Sequence, residues 1–144
     1  MSIVAHVEFP EGLERIFPIM KELRPHLDLD EFKRLAALAH AADGYRLVVR
    51  EIKGEAVAVM GYRILHDFVH GSHLYIDDLV TTKDARGEGH GAQLLRFAEG
   101  EARRLGLAGL RLSTGTENKD ARRFYEREGW EARSVTFKKK MSTH

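Results

Sequence analysis

The run Arg86-Gly87-Glu88-Gly89-His90-Gly91 bears most directly on chemistry. An apolar, strand-like stretch, Leu74 to Val80, precedes it, and a helix-like stretch, Ala92 to Ala98, follows it. A basic residue and closely spaced glycines thus fall where a strand turns into a helix. Glycine lets the backbone approach a ligand and adopt conformations that side chains resist. The first turn of a helix leaves free N–H groups and a partial positive charge, which together hold an anion such as a pyrophosphate. The segment is therefore expected to bind a phosphorylated cofactor. Two familiar patterns fail. A nucleotide P-loop needs Gly-Lys-Ser/Thr, whereas Gly91 is followed by Ala92-Gln93. A dinucleotide site needs G-x-G-x-x-G and an acid ending the next strand; here the glycines are 87, 89 and 91, and Leu110 to Thr114 carries no acid.

A second group lies downstream. Asn118, Ala121 and Tyr125 share one face of a helix, so all three can line one ligand. Asn118 serves equally well as a helix N-cap, and Tyr125 as an amphipathic core residue. Asp77 and Asp78 are adjacent on a strand, so they point to opposite faces unless a bulge intervenes.

The elements that must position these residues follow from periodicity. Ile3 to Phe9 reads as a strand, and Glu11 to Leu23 as a helix with Leu13, Ile16, Phe17, Met20 and Leu23 on its inner face. Asp28 or Asp30 caps a second helix, closed by Gly44. Tyr45 to Ile52 and Glu55 to Leu65 are strands joined by a tight turn at Lys53-Gly54. Leu74 to Thr81 is a strand, Gly89 to Leu105 a long amphipathic helix, Leu107 to Ser113 a strand and Asn118 to Glu128 a short helix ended by Gly129. Trp130 to Lys140 is expected to hold the last one or two strands. The order β-α-α-β-β-β-α-β-α-β(β) implies an α/β fold of the mixed, α+β kind, with helices on both faces of a central sheet.

The composition sets outer limits. A chain of 144 residues, 43% hydrophobic, fits a single domain over residues 1–144 with one core. Its 23 basic and 22 acidic residues nearly cancel, so nothing in the charge points to nucleic acid or to a membrane surface. The absence of cysteine excludes disulfides, thiolate zinc sites and a cysteine nucleophile. Met1 to Glu8 does not read as a signal peptide, and no apolar run reaches the ~18–20 residues a membrane span needs. A cytoplasmic protein is expected. His66, His70 and His73 are placed on a hairpin turning at Gly71-Ser72, where they read as solvated loop rather than as metal ligands. His90 is expected either to face the glycine turn and touch phosphate or to lie on exposed helix surface. Lys138-Lys139-Lys140 reads as a solvated strand end.

Arg86, Gly89 and Gly91 resemble, residue for residue, the Gln/Arg-x-x-Gly-x-Gly/Ala signature of the GNAT N-acyltransferase superfamily. The likeness extends upstream through Ile76-Asp77-Asp78-Leu79-Val80-Thr81. Downstream, Asn118 to Trp130 is similar to the family's Asn-x-x-Ala-x-x-Phe-Tyr-x-x-x-Gly-Phe segment, with Trp130 replacing the final phenylalanine. Lys83 stands where many members carry proline, a departure of little consequence if the Thr82–Ala85 turn closes by other means. The resemblance implies acetyl-CoA as cosubstrate and no metal. Its pyrophosphate would lie on the turn made by Arg86, Gly87, Glu88, Gly89, His90 and Gly91. Its pantetheine arm would pair with the exposed backbone of Leu79, Val80 and Thr81, and one of their N–H groups would polarise the thioester carbonyl. Asn118, Ala121 and Tyr125 would line the cofactor, with Tyr125 as the acid that protonates the departing thiolate. Asp78 would serve as a base through water or as a clamp for the acceptor ammonium, with Tyr75 and Glu55 as weaker candidates. The reaction implied is direct attack of a primary amine on the acetyl thioester, the amine belonging to a small molecule, peptide or protein. The alternative is a non-catalytic acetyl-CoA sensor or interaction module. A homodimer is expected from the same resemblance.

Overall fold

The computed structural model describes residues 1–142 and divides the chain into two compact units, Met1–Ser113 and Thr114–His144. The first unit contains β1 (Ser2–His6), α1 (Leu13–Leu23), α2 (Leu29–Asp43), β2 (Arg46–Ile52), β3 (Glu55–Asp67), β4 (Gly71–Thr81), α3 (His90–Arg104) and β5 (Gly109–Leu112). A short 3-10 turn, Lys83–Ala85, joins β4 to the glycine run. The strands form one sheet in the order β1-β2-β3-β4-β5. Neighbours are antiparallel except β4 and β5, which are parallel. The second unit holds α4 (Lys119–Arg127).

Alternation along the strands sorts the core into two faces. Leu47, Val49, Val59 and Val80 point to one side and pack with Leu13, Ile16 and Met20 of α1 and Phe32 and Ala36 of α2. Val48 and Met60 point to the other, along with His6, whose ring meets Phe97 of α3 edge-on at 5.8 Å. Helices thus cover both faces, as the element order implies. Leu94, Leu95 and Ala98 supply the buried stripe of α3 at helical spacing.

Local signals set most element ends. The Asp28 carboxylate accepts the Glu31 N–H and starts α2, and Gly44 closes it at φ +68°. Lys53 and Gly54 both adopt positive φ, the geometry of a two-residue hairpin turn. Two expectations fail. The β3–β4 hairpin turns at Phe68 to His70 rather than at Gly71-Ser72, since Asp67 already faces Gly71 across the ladder. Trp130 to Lys140 forms no strand. Its alternating Val135 and Phe137 have strand-like propensity, but both are largely exposed, and a strand exists only where its backbone finds a ladder partner.

Candidate functional site

β4 departs from a regular strand in two ways that matter for chemistry. Its pairing with β5 covers only His73 to Ile76, so the edge from Asp77 to Thr81 has no β5 partner. Thr82 donates its N–H across to the Val57 carbonyl on β3. Because strand N–H groups alternate in direction, those of Leu79 and Thr81 point away from β3, toward the open edge. This edge leads straight into the glycine turn. Gly87 and Gly89 sit at φ +82° and +86°, with open space where a Cβ would be. Gly89 caps α3 without any side-chain cap, and the first intrahelical bond runs from Gln93 N–H to its carbonyl. The N–H groups of His90, Gly91 and Ala92 therefore remain available to an anion at the positive end of the helix.

The turn before the glycines closes without proline. Ala85 N–H donates to the Thr82 carbonyl, and Glu22 of α1 accepts both the Thr82 hydroxyl at 2.7 Å and the Lys83 N–H at 2.9 Å. Arg86 lies over the same corner, with Nε 3.2 Å from the Thr81 carbonyl and Nη2 3.4 Å from Glu22. Its side chain is 59% exposed and free to reach an incoming phosphate.

Of the two expectations for the His90 side chain, exposed helix surface fails, and the ring faces Glu88 of the glycine turn. It is 6% exposed and points into the core side of α3. Arg50 Nε donates to Nδ1 at 2.8 Å, so Nε2 carries the proton and faces Glu88 Oε1 at 3.0 Å. His90 therefore offers an anion its backbone N–H alone. The same bond draws one oxygen of the Glu88 carboxylate toward His90, while the Glu88 side chain stays 60% exposed.

The second departure is a bulge in β4. Gly61 pairs with Asp78 and Tyr62 with Ile76, which leaves Asp77 as the extra residue. The bulge lets both carboxylates face side chains from the α1–α2 side of the sheet. Asp78 Oδ1 accepts from Arg24 Nε and Nη2 at 3.1 and 2.9 Å, and its Oδ2 accepts from the Tyr45 hydroxyl at 2.7 Å. Asp77 receives a two-pronged contact from Arg63, at 2.9 and 2.8 Å. The pair is thus not a bare negative patch. Burial raises the Asp77 pKa, against the lowering effect of Arg63. Burial, reinforced by the Asp78 charge, pushes the Tyr45 hydroxyl well up, so Tyr45 stays protonated and donates.

Gly61 makes this arrangement possible. A Cβ there would lie 1.8 Å from the Tyr45 hydroxyl oxygen. Gly61→Ala is expected to displace the Tyr45 ring and release Asp78 Oδ2, costing about 1–3 kcal/mol of stability. Urea unfolding checks this; an unchanged midpoint would mean that Tyr45 has another place to go. Of the weaker candidates, Tyr75 spends its hydroxyl on Ser113 at 3.0 Å, and Glu55 is exposed at the tip of the β2–β3 hairpin.

In the second unit, Asn118 takes up its capping role: its Oδ1 accepts the Ala121 N–H at 3.0 Å. Ala121 and Tyr125 follow on α4, both partly buried. Tyr125 packs edge-on against Phe124 and Trp130, and Gly129 ends the helix region at φ +93°. Burial raises the Tyr125 pKa above the ordinary tyrosine value.

Sequence reasoning missed Glu22, Tyr45, Gly61 and Arg63. Each reaches the site across the fold, and no local spacing marks it. His90 had a signal, since it lies four residues before Leu94 and thus on the buried stripe of α3.

The mixed five-stranded sheet, with the unpaired edge of β4 leading into a glycine-capped helix, matches the acyl-CoA N-acyltransferase fold. The chain matches the family described as Acetyltransferase (GNAT) family over residues 10–130, which span parts of both units. It belongs to that family and is an acetyl-CoA-dependent N-acetyltransferase. It is 36% identical over 124 residues to the uncharacterized N-acetyltransferase YhdJ of Bacillus subtilis, covering 85% of this chain and 87% of the relative. It is 33% identical over 133 residues to the aminoalkylphosphonate N-acetyltransferase of Salmonella typhimurium, covering 90% and 85%. The solved structure of the aminoglycoside N-acetyltransferase AAC(6')-Iy in complex with CoA superposes with a TM-score of 0.83 at 18% identity, over 98% of this chain and 96% of that one. No helix among the described residues is long and apolar enough to cross a membrane.

Proposed function

We propose that the chain moves the acetyl group of acetyl-CoA by direct attack of a small primary amine that also carries an anionic group. The open edge of β4 running into the glycine turn carries the donor half of this reading. The pyrophosphate lies on the N–H groups from Gly87 to Gly91, with Arg86 beside it. The pantetheine arm pairs with the outward backbone of Leu79 and Thr81 around Val80, and the Leu79 N–H polarises the thioester carbonyl. The amine gives up a proton through water to Asp78 and its nitrogen bonds to the carbonyl carbon. The carbon–sulfur bond then breaks, and the thiolate takes the Tyr125 proton. Ala121 keeps its face of α4 low beside the cofactor, and Asn118 fixes the start of that helix.

Two observations support the acceptor half. Arg24 uses Nε and Nη2 on the acidic pair yet remains 42% exposed, so its guanidinium offers a free edge to an anion beside the carboxylate that meets the ammonium. The Salmonella relative is an aminoalkylphosphonate N-acetyltransferase. Both units, Met1–Ser113 and Thr114–His144, serve this one activity as a single domain, in a cytoplasmic homodimer.

The test is release of free CoA thiol with 2-aminoethylphosphonate, ethylamine and a lysine peptide. The phosphonate is expected to exceed ethylamine in kcat/KM by about tenfold or more. Equal rates would remove the anionic requirement, and no thiol release with any amine would remove direct transfer to this class.

A further inference from the structure

At the far end of β4 from the glycine turn, the β3–β4 hairpin gathers three groups that acetyl transfer does not use. Asp67 ends β3, His70 lies in the turn, and His73 is the third residue of β4. One ligand atom from each lies within 4.8 Å of the others. We infer that Asp67, His70 and His73 form a binding site for a divalent transition-metal ion of the zinc type.

The geometry supports this in several ways. His70 Nδ1 stands 3.2 Å from both Asp67 oxygens, and His73 Nε2 stands 4.0 Å from Asp67 Oδ2. Ligand atoms about 2.0–2.1 Å from a tetrahedral zinc are about 3.3 Å apart, so the trio is near the required spacing. His73 is 1% exposed, and its Nδ1 lies 3.0 Å from the Gly71 carbonyl. That Nδ1–H donates to the carbonyl and leaves the Nε2 lone pair facing Asp67, the tautomer and second-shell support that metal-bound histidines use. The His70 N–H donates to Asp67 Oδ1 at 2.6 Å and holds the carboxylate in place. His66 stands apart, its Nδ1 paired with the Ser72 hydroxyl.

A cation already occupies the position a metal would take. Arg111 Nε donates to His73 Nε2 at 3.2 Å, and its Nη2 is 3.9 Å from Asp67. The guanidinium also rests over the Tyr75 ring at 4.7 Å and is 33% exposed, so it has room to withdraw. The metal and Arg111 therefore compete for one lone pair, which gives the proposal a signed prediction. Removing the guanidinium must tighten metal binding, whereas removing Asp67 or His70 must weaken it. The site pins the hairpin rather than entering catalysis, because its ligands lie away from the open edge of β4.

Calorimetric titration of the chelator-treated full chain with zinc chloride, with magnesium as control, tests this. One zinc is expected to bind in the low micromolar range, with no magnesium binding. Asp67→Asn and His70→Ala are expected to weaken zinc at least about tenfold, and Arg111→Gln to tighten it several-fold, all with an unchanged circular dichroism spectrum. Zinc at ten times its dissociation constant is expected to raise the wild-type Tm by about 3 °C and that of His70→Ala not at all. Unchanged affinity in His70→Ala and Asp67→Asn would assign the zinc to other histidines and overturn the proposal. So would an absence of zinc binding in both the wild type and Arg111→Gln, or weaker binding in Arg111→Gln.

Discussion

Gly89→Asp is expected to weaken acetyl-CoA binding by about a thousandfold. Gly89 sits at φ +86°, and any strain a side chain suffers there burdens the free and the bound chain alike, so the loss of affinity comes from the charge. The new carboxylate would lie beside the free N–H groups at the start of α3, the proposed seat of the pyrophosphate. Like charges about 4 Å apart at a partly solvated site repel by about 4 kcal/mol, which alone corresponds to about three orders of magnitude. Gly89→Asn isolates the charge, since asparagine and aspartate share the same tolerance of the left-handed region and asparagine is neutral. It is expected to bind within about tenfold of wild type. Calorimetry on both variants decides the matter. Similar losses in the two would remove the charge as the cause, and near-normal binding by Gly89→Asp would place the phosphates elsewhere.

Tyr125→Phe is expected to lower kcat by about 10²–10³, with little change in the KM for acetyl-CoA. In the proposed mechanism the hydroxyl acts only as the thiolate departs, so its removal should affect the transition state rather than the bound ground state. The pH profile gives an independent check. Burial raises the Tyr125 pKa, so the group stays protonated, and competent as an acid, beyond the ordinary tyrosine range. The alkaline limb of the wild-type kcat profile should therefore fall above about pH 10. Tyr125→Phe should lack that limb. A proportional rise in KM with kcat unchanged would make Tyr125 a packing residue against Phe124 and Trp130.

Chain-local features of the fold were legible in the sequence. The Lys53-Gly54 hairpin, the Gly44 and Gly129 helix ends and the Asn118 cap each depend on the conformational preference of one or two residues. The glycine turn was legible for the same reason. What stayed hidden is long-range. Glu22 meets the Lys83 N–H, Arg24 meets Asp78, and Tyr45 reaches Asp78 only because Gly61 leaves room. None of these pairs has a sequence spacing that a helix or strand period would reveal.

The acidic pair illustrates the same limit more sharply. Strand alternation alone sends Asp77 and Asp78 to opposite faces, and only the cross-strand register between Gly61 and Tyr62 reveals the bulge that brings both to arginines. The pair's charge was therefore visible, but its neutralisation was not, and with it changes the kind of acceptor expected. Trp130 to Lys140 is the converse case: strands were expected there, and no ladder partner makes them.

The central claim is that the glycine turn and the open edge of β4 together hold acetyl-CoA. Titration of the purified wild-type chain with acetyl-CoA, with ATP and NAD as controls, tests it most directly. Binding of one acetyl-CoA in the micromolar range, with neither control competing, is the predicted result. Absence of binding by a chain shown to be folded, or equal binding of ATP, would contradict it.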